Sequence, residues 1–280
     1  MELTSPAVIE SLCQKYGVYP SKKHGQNFLI DQKILGKIIE AAGLKKDDVV
    51  LEIGPGFGTL TVELAKRVKK IVAVEADEQL VKASREILAD SKNVEIIHSD
   101  ILELQVTGYK LQEYGYKIVA NLPYQITSAV FRKFLENASR PSEMIVMVQK
   151  EVAERICAPA GEMSLLSVSV QFFGKPEIVE VVSRKSFWPE PEVDSAILKI
   201  SNIKHETETN VRRTESKDFF RVVKIGFSAR RKQLHNNLSS GLRVPSEKIK
   251  EILIKLGFDP KIRAQDLSMD GWIELAKRLK

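Results

Sequence analysis

Disulfides and metal centres are both poorly provided for. The 280 residues include two cysteines, Cys13 and Cys157, and four histidines, at 24, 98, 205 and 235, with no metal-ligand spacing among them. A reducing compartment fits that usage. No stretch reaches the roughly 18 apolar residues of a membrane span. The first residues, "MELTSPAVIESLCQKYG", carry acids where a secretory leader has a basic segment and an apolar run. There is no Gly-Lys-Ser/Thr phosphate cradle, no internal repeat and no low-complexity tract. A cytoplasmic, globular protein is expected. With 43% apolar and 29% charged residues, the chain can bury a sizeable core as one large domain or as a large and a small one.

The net charge of +6 is unevenly spread. Residues 201–280 hold 18 Lys and Arg against 10 Asp and Glu, whereas residues 1–200 are slightly acidic, at −2. Such a basic C-terminal part suits contact with an acidic polymer, and it equally suits a solvated, Lys-rich helical surface.

Short β-branched runs alternate with amphipathic stretches. The runs "VVLEIG" (49–54), "IVAVEA" (71–76), "VEIIHSD" (94–100), "KIVAN" (117–121) and "EMIVMVQ" (143–149) have the look of strands buried on both faces of a parallel sheet. "TLTVELAKRV", "EQLVKASREILAD" and "SAVFRKFLEN" lie between them at helical spacing, so a doubly wound α/β sheet is expected. "KPEIVEVVS" and "DSAILKIS" predict a hairpin-like pair at the sheet edge, joined by "FWPEPEV", while "SLLSVSVQFF" fits helix or strand. The polar run 202–216 reads as a linker, which divides the chain into 1–204 and 205–280. Helical patterns follow near 217–228, 230–240, 246–256 and 269–279.

Ligands of an open α/β sheet bind beyond the carboxyl ends of its strands. The first strand ends in Gly54, Gly56 and Gly58. These permit a tight turn and a close ligand, but Thr59 stands where a dinucleotide fingerprint needs its third glycine. Glu75 ends the second strand, where a carboxylate can accept both hydroxyls of a ribose. Asp100 follows the third and is placed to accept an exocyclic adenine amine. Each acid alone could equally be a helix cap. Together they describe a site for a nucleoside with no demand for phosphate, which favours S-adenosylmethionine over NAD.

The fourth strand ends in Asn121-Leu122-Pro123-Tyr124. An aromatic exocyclic amine is a poor nucleophile because its lone pair is delocalised into the ring. Two carbonyl acceptors, the Asn121 side chain and the Leu122 backbone, would bind its hydrogens and draw the nitrogen toward a tetrahedral geometry. Pro123 stiffens the turn, and Tyr124 offers a face on which a base can stack.

These blocks, with "GQNFLID", "VEAD", "SDIL", "FWPEPEVDSA" and "FSARRKQLHNNL", resemble in order the signature of the small-subunit ribosomal RNA adenine dimethyltransferases, the KsgA family, from about residue 20 to the C-terminus. The resemblance implies a class I (Rossmann-like) methyltransferase sheet with a small all-helical C-terminal domain that binds RNA. It implies methylation of N6 on two adjacent adenosines near the 3′ end of small-subunit rRNA, within an immature 30S particle; a monomer with no membrane partner is expected, and DNA is disfavoured as substrate because no target-recognition insert is present. By the same resemblance Asn27 and Leu29 line the methionine end of the cofactor, beside Gln26 and Phe28. Gly54 contacts the cofactor through its backbone, Glu75 takes the ribose, Asp100 the adenine, and Asn121 sits between cofactor and target. Phe187 resembles a second aromatic clamping the base opposite Tyr124, although a lone Phe before a Pro-rich turn is more often core. Glu162 and Met163 depart from the family pattern before the "LSV" block, which bears on the shape of an RNA-facing loop. Arg230, Arg231 and Lys232 are expected at RNA phosphates. Two alternatives share these features: a large-subunit adenine methyltransferase of the macrolide-resistance type, which Leu122 and the two downstream blocks disfavour, and an assembly factor for which catalysis is secondary.

Overall fold

The computed structural model describes residues 1–20, 26–105, 111, 115–136, 139–204 and 213–279. Most of the expected linker therefore lies outside the described residues, as do Gly25 of the "GQNFLID" block and two of the four histidines. The described chain divides into two compact units, Met1–Ala153 with Pro176–Ile203, and Glu154–Lys175 with Lys204–Lys280. The second unit thus takes in a segment that precedes residue 204.

The first unit is an α/β sheet. Its elements run α1 (Pro6–Tyr16), β1 (Phe28–Leu29), α2 (Gln32–Ala42), β2 (Val49–Ile53), α3 (Thr59–Ala65), β3 (Lys70–Glu75), α4 (Glu78–Ile87), β4 (Val94–His98), β5 (Tyr116–Asn121), α5 (Thr127–Leu135) and β6 (Glu143–Gln149). After α6 (Lys150–Cys157) and α7 (Leu165–Gln171) come β7 (Lys175–Val182), β8 (Phe187–Trp188) and β9 (Ser195–Ser201). The seven-stranded sheet has the order β4-β3-β2-β5-β6-β9-β7. Strands β4 to β6 pair in parallel, and β9 runs antiparallel to β6.

The apolar runs form strands because their β-branched side chains fit a surface covered on both faces: β2 is buried at all five positions and β5 at its first five. β4 differs from expectation. Its side chains are half-buried or exposed, none fully buried, because it is the sheet edge, with a partner on one side only. Helix starts are marked by short oxygen-bearing side chains. The Asp31 carboxylate accepts from the N–H groups of Lys33 and Ile34 ahead of α2, and Asp77 does the same for Gln79 and Leu80 ahead of α4. Lys117, on β5, fastens the far end of α2 by donating to the carbonyls of Ala42 and Gly43, each at 3.1 Å, and pairs with Asp48 at 3.1 Å.

The expected edge pair is present, with β9 inside β7. The segment joining them is more than a loop. Phe187 and Trp188 form a separate two-stranded ladder with Leu29 and Phe28. Pro189 and Pro191, which lack N–H donors, keep the ladder from extending.

In the second unit "SLLSVSVQFF" forms α7, started by a capping box between Ser164 and Ser167. The C-terminal helices are α8 (Arg213–Gly226), α9 (Leu234–Leu242), α10 (Ser246–Lys255) and α11 (Met269–Arg278). Segment 154–175 joins them through aromatic packing. Phe172 stacks on Phe219 at 4.3 Å and meets Phe220 edge-on at 5.2 Å. The Glu162–Met163 departure lies on a loop stapled within the same unit, where the N–H groups of Gly161 and Met163 both donate to the carbonyl of Gln265.

Candidate active site

The carboxyl ends of β2, β3, β4 and β5 surround a cavity of about 430 Å³, the size of a small-ligand site. Its fourth side is closed by the strap 26–29. The structure brings Asn27, Leu29, Gly54, Glu75, Asp100, Asn121, Leu122 and Tyr124 together around this one space.

The glycine loop after β2 is shaped by close approach. Gly54 has φ +69° and Gly56 φ +58°, the left-handed region. A Cβ on Gly56 would sit 3.1 Å from the Phe28 ring, so the missing side chain is what lets the strap lie against the loop. The Gly54 N–H donates to the Val74 carbonyl at 2.9 Å, which leaves the Gly54 carbonyl and bare Cα to meet a ligand.

Glu75 is 8% exposed. Its Oε1 accepts from the N–H groups of Ala76 and Asp77 at 2.9 and 3.1 Å, and its Oε2 from Gly56 at 3.2 Å. Burial raises its pKa against the pull of those three bonds. A carboxylate has about four lone-pair sites, so capacity for a ligand hydroxyl is concentrated on Oε2. Asp100 is exposed at the rim. Its Oδ1 accepts from the Leu102 N–H at 2.8 Å, which aims the carboxylate without consuming both oxygens.

At the fourth strand end the Asn121 side-chain NH2 donates to the backbone carbonyl of Asn27 at 3.0 Å. A carbonyl only accepts, so this contact fixes which end of the amide is nitrogen and turns Oδ1 away as the acceptor. The Leu122 N–H donates to the Met147 carbonyl at 3.1 Å, and the leucine side chain is buried, which anchors the turn. Tyr124 opens a short 3-10 turn, and its hydroxyl lies 2.8 Å from Ser195 Oγ. Burial raises its pKa, with the negative charge of Asp194 adding in the same direction. The phenol is thereby a neutral, fixed plate.

Phe187 is not brought to this cavity. Its ring is 2% exposed and packs in the core with Leu29, Met147 and Ile197. Pairing of β8 with β1 sets which face of the short strand points inward, and it turns Phe187 into the core. The expected clamp facing Tyr124 is therefore not among the residues gathered at the cavity, and Phe187 stands in the core of this structure.

Three groups escaped the sequence reading. Glu52 lines the cavity from within β2 at 1% exposure, and neither its Oε2 nor the nearby Thr61 Oγ1 has a hydrogen-bond partner among the described residues. Burial pushes the Glu52 carboxyl up to about 8, and the charge of Glu75 adds to the shift. An acid inside a fully apolar strand was the available signal. Asp77 caps α4 with Oδ1 and with Oδ2 accepts from Gln26 Nε2 at 3.2 Å, holding one end of the strap. Ser195, fully buried on β9, seats Tyr124.

In the second unit Arg230, Arg231 and Lys232 are exposed on the turn before α9. The buried Asn237 side chain donates to the carbonyls of Gly226 and Ala229 at 2.7 and 3.0 Å, which fixes that turn from beneath.

Residues 20–280 match the family model described as ribosomal RNA adenine dimethylase. The chain is similar to the ribosomal RNA small subunit methyltransferase A of Dehalococcoides mccartyi (strain CBDB1), 46% identical over 96% of this chain and 91% of that protein. The protein of the same name from Enterococcus faecalis is 37% identical over 100% and 97%. Among solved structures, a dimethyladenosine transferase from Plasmodium falciparum superposes with a TM-score of 0.75 at 29% identity, covering 88% of this chain and 95% of that one. The 23S rRNA methyltransferase ErmE gives 0.73 at 29% identity, covering 90% and 99%. The fold is thus shared with a 23S rRNA methyltransferase, whereas these two sequence relatives carry the small-subunit name.

Proposed function

The chain belongs to the ribosomal RNA adenine dimethylase family and is an S-adenosylmethionine-dependent rRNA adenine dimethyltransferase, and we propose that its target is a pair of adjacent adenosines near the 3′ end of small-subunit rRNA. The particle acted on is an immature 30S subunit, and the enzyme works as a cytoplasmic monomer. Among the described residues no helix is long and apolar enough to cross a membrane.

The observation that carries the reading is the Asn121–Asn27 contact at the end of β5. With its NH2 committed, the Asn121 Oδ1 and the Leu122 carbonyl form a pair of acceptors for the two hydrogens of an N6 amine. Holding both hydrogens localises the nitrogen lone pair, and Tyr124 presents a face for the base, a stacking contact worth roughly 1 to 3 kcal/mol. No strong base is required, because the N6 proton becomes acidic once the new bond forms and leaves to water. The remaining contribution is alignment of the reacting atoms.

The cavity fits the cofactor by chemistry as well as by size. Bound S-adenosylmethionine supplies a methyl group on a cationic sulfur. Glu75 would accept ribose hydroxyls with the capacity left on Oε2, and Asp100 the adenine amine. Asn27 and Leu29 would line the methionine end, and the buried Glu52 carboxyl adds a latent negative charge to a site meant for a cation.

The deciding experiment offers the protein and labelled cofactor to unmethylated 30S and 50S particles and maps the label. Labelling of N6 on two adjacent adenosines in 30S alone is expected. Labelling confined to 50S would replace this reading with the large-subunit one.

A further inference from the structure

We propose that Ser186, which does not line the cavity, is a positioning residue for the transfer site: its hydroxyl, bonded to Asp31, holds the strap 26–31 so that the Asn27 carbonyl keeps the Asn121 amide turned toward the target amine. This rests on the role given to Asn121 above.

The strap buries the side chains of Phe28 and Leu29, but its backbone has little regular pairing for a wall of an active site. Among the described residues its only sheet pairing is the ladder of two residues on each side, Phe28 with Trp188 and Leu29 with Phe187. A pair that short is not stable alone. Beyond that burial, two polar pins fix its ends. At one end Gln26 Nε2 donates to Asp77 Oδ2 at 3.2 Å. At the other, the Ser186 hydroxyl donates to Asp31 Oδ2 at 2.9 Å, next to the backbone bond from the Ile30 N–H to the Ser186 carbonyl at 2.9 Å. In both cases the aspartate caps a helix with Oδ1 and keeps Oδ2 for the pin: Asp77 ahead of α4 holds Gln26, and Asp31, the last strap residue and the cap of α2, is held by Ser186 next to β8.

The Ser186–Asp31 bond is well placed to carry this load. Ser186 is 7% exposed, and its partner is a charged carboxylate, which strengthens the bond. Burial alone would raise the Asp31 pKa, but the hydrogen bonds from Ile34, Ser186 and Lys33 outweigh it and hold the group ionised. Between the pins lies Asn27, whose carbonyl is the acceptor for the Asn121 amide. Loosening the Ser186 pin therefore frees the amide to rotate, without removing any group that touches the reactants.

The test compares the full-length wild type with Ser186→Ala and Asp31→Ser, the latter keeping a helix-capping oxygen while being too short to reach Ser186. Both variants are expected to lower kcat on 30S particles about five- to ten-fold at saturating cofactor, with cofactor Kd changed less than about threefold, as for one charge-assisted bond acting on orientation. Combining them should cost no more than either alone, since both remove one bond. In the ligand-free protein the side-chain amide resonances of Asn121, assigned by their loss in Asn121→Ala, should shift toward solvent-exposed positions in both variants. Wild-type kcat and unmoved amide resonances in either folded variant would overturn the proposal. So would equal losses in kcat and cofactor affinity with a lowered unfolding temperature, which mark a merely structural role. A wild-type protein inactive on 30S particles would instead strike the functional reading, and the amide resonances would still decide the role of Ser186.

Discussion

Asn121 and Asn27 are 94 positions apart in sequence, and the side-chain amide of the first donates to the backbone carbonyl of the second at 3.0 Å. The contact makes the Asn121 amide directional. Replacement by aspartate keeps the acceptor oxygen but exchanges the donor for a second acceptor and sets a negative charge against the Asn27 carbonyl, while replacement by alanine removes both functions. Asn121→Ala and Asn121→Asp should each lower kcat by about 100-fold or more, with cofactor affinity within a few-fold of wild type, because the lost interaction belongs to the transition state. Single-turnover methylation of 30S particles, with calorimetry of cofactor binding, checks this. A near wild-type rate for Asn121→Ala would remove the residue from the chemistry.

Glu75 carries two loads, three backbone N–H groups and the proposed ribose contact. Glu75→Ala should weaken cofactor binding by about 2 kcal/mol, roughly 30-fold, since ligand hydroxyls are left unpaired in a buried place. Glu75→Gln, which retains one carbonyl oxygen, should fall between. Calorimetry reads both, and unchanged affinity in the alanine variant would exclude Glu75 from the cofactor site.

Glu52 gives a pH dependence with a definite sign. From the ordinary carboxyl range up to about 8, the unfolded chain has lost this proton while the folded protein still holds it. The folded state then binds more protons, so the contribution of Glu52 to stability falls as pH rises through that window and levels off above it. Glu52→Gln has no such proton, and its stability should decline less steeply, by up to about 1.4 kcal/mol per pH unit. Urea midpoints of both proteins between about pH 5.5 and 7.5 test this; parallel curves would show that Glu52 is ionised in the folded protein.

Arg230, Arg231 and Lys232 stand exposed on a turn fixed by Asn237, so their charges can be removed without disturbing the core. Replacing all three with Gln should weaken binding to 30S particles and reduce the slope of log affinity against log salt by about 2 to 3, as fewer counterions are released. An unaltered slope would assign them to a solvated face.

The sheet and the strand-end residues were legible because both follow from local rules. A continuous β-branched run such as "VVLEI" needs two covered faces, and an α/β sheet puts its ligands at strand ends. What escaped has no local signal. A two-residue strand shows no periodicity, so the pairing of Phe28–Leu29 with Phe187–Trp188 is invisible until the tertiary structure is known, and the burial of Phe187 follows from it. The grouping of 154–175 with the C-terminal helices depends likewise on Phe172 meeting Phe219, which no window of sequence contains. Glu52 could have been read, since a carboxylate within a buried strand is costly unless it serves a purpose.

The ladder of β1 with β8 also sets an order of events during synthesis. Chains emerge from the N-terminus. The glycine loop, Glu75 and Asn121 all leave the ribosome before Ser186, Phe187 and Trp188 exist to close the strap over them. A nascent chain that has already made Asn121 still lacks the residues with which Phe28 and Leu29 pair. The strap gains its ladder only when Phe187 and Trp188 are added, so an interrupted translation product carries the Asn121 motif without that ladder.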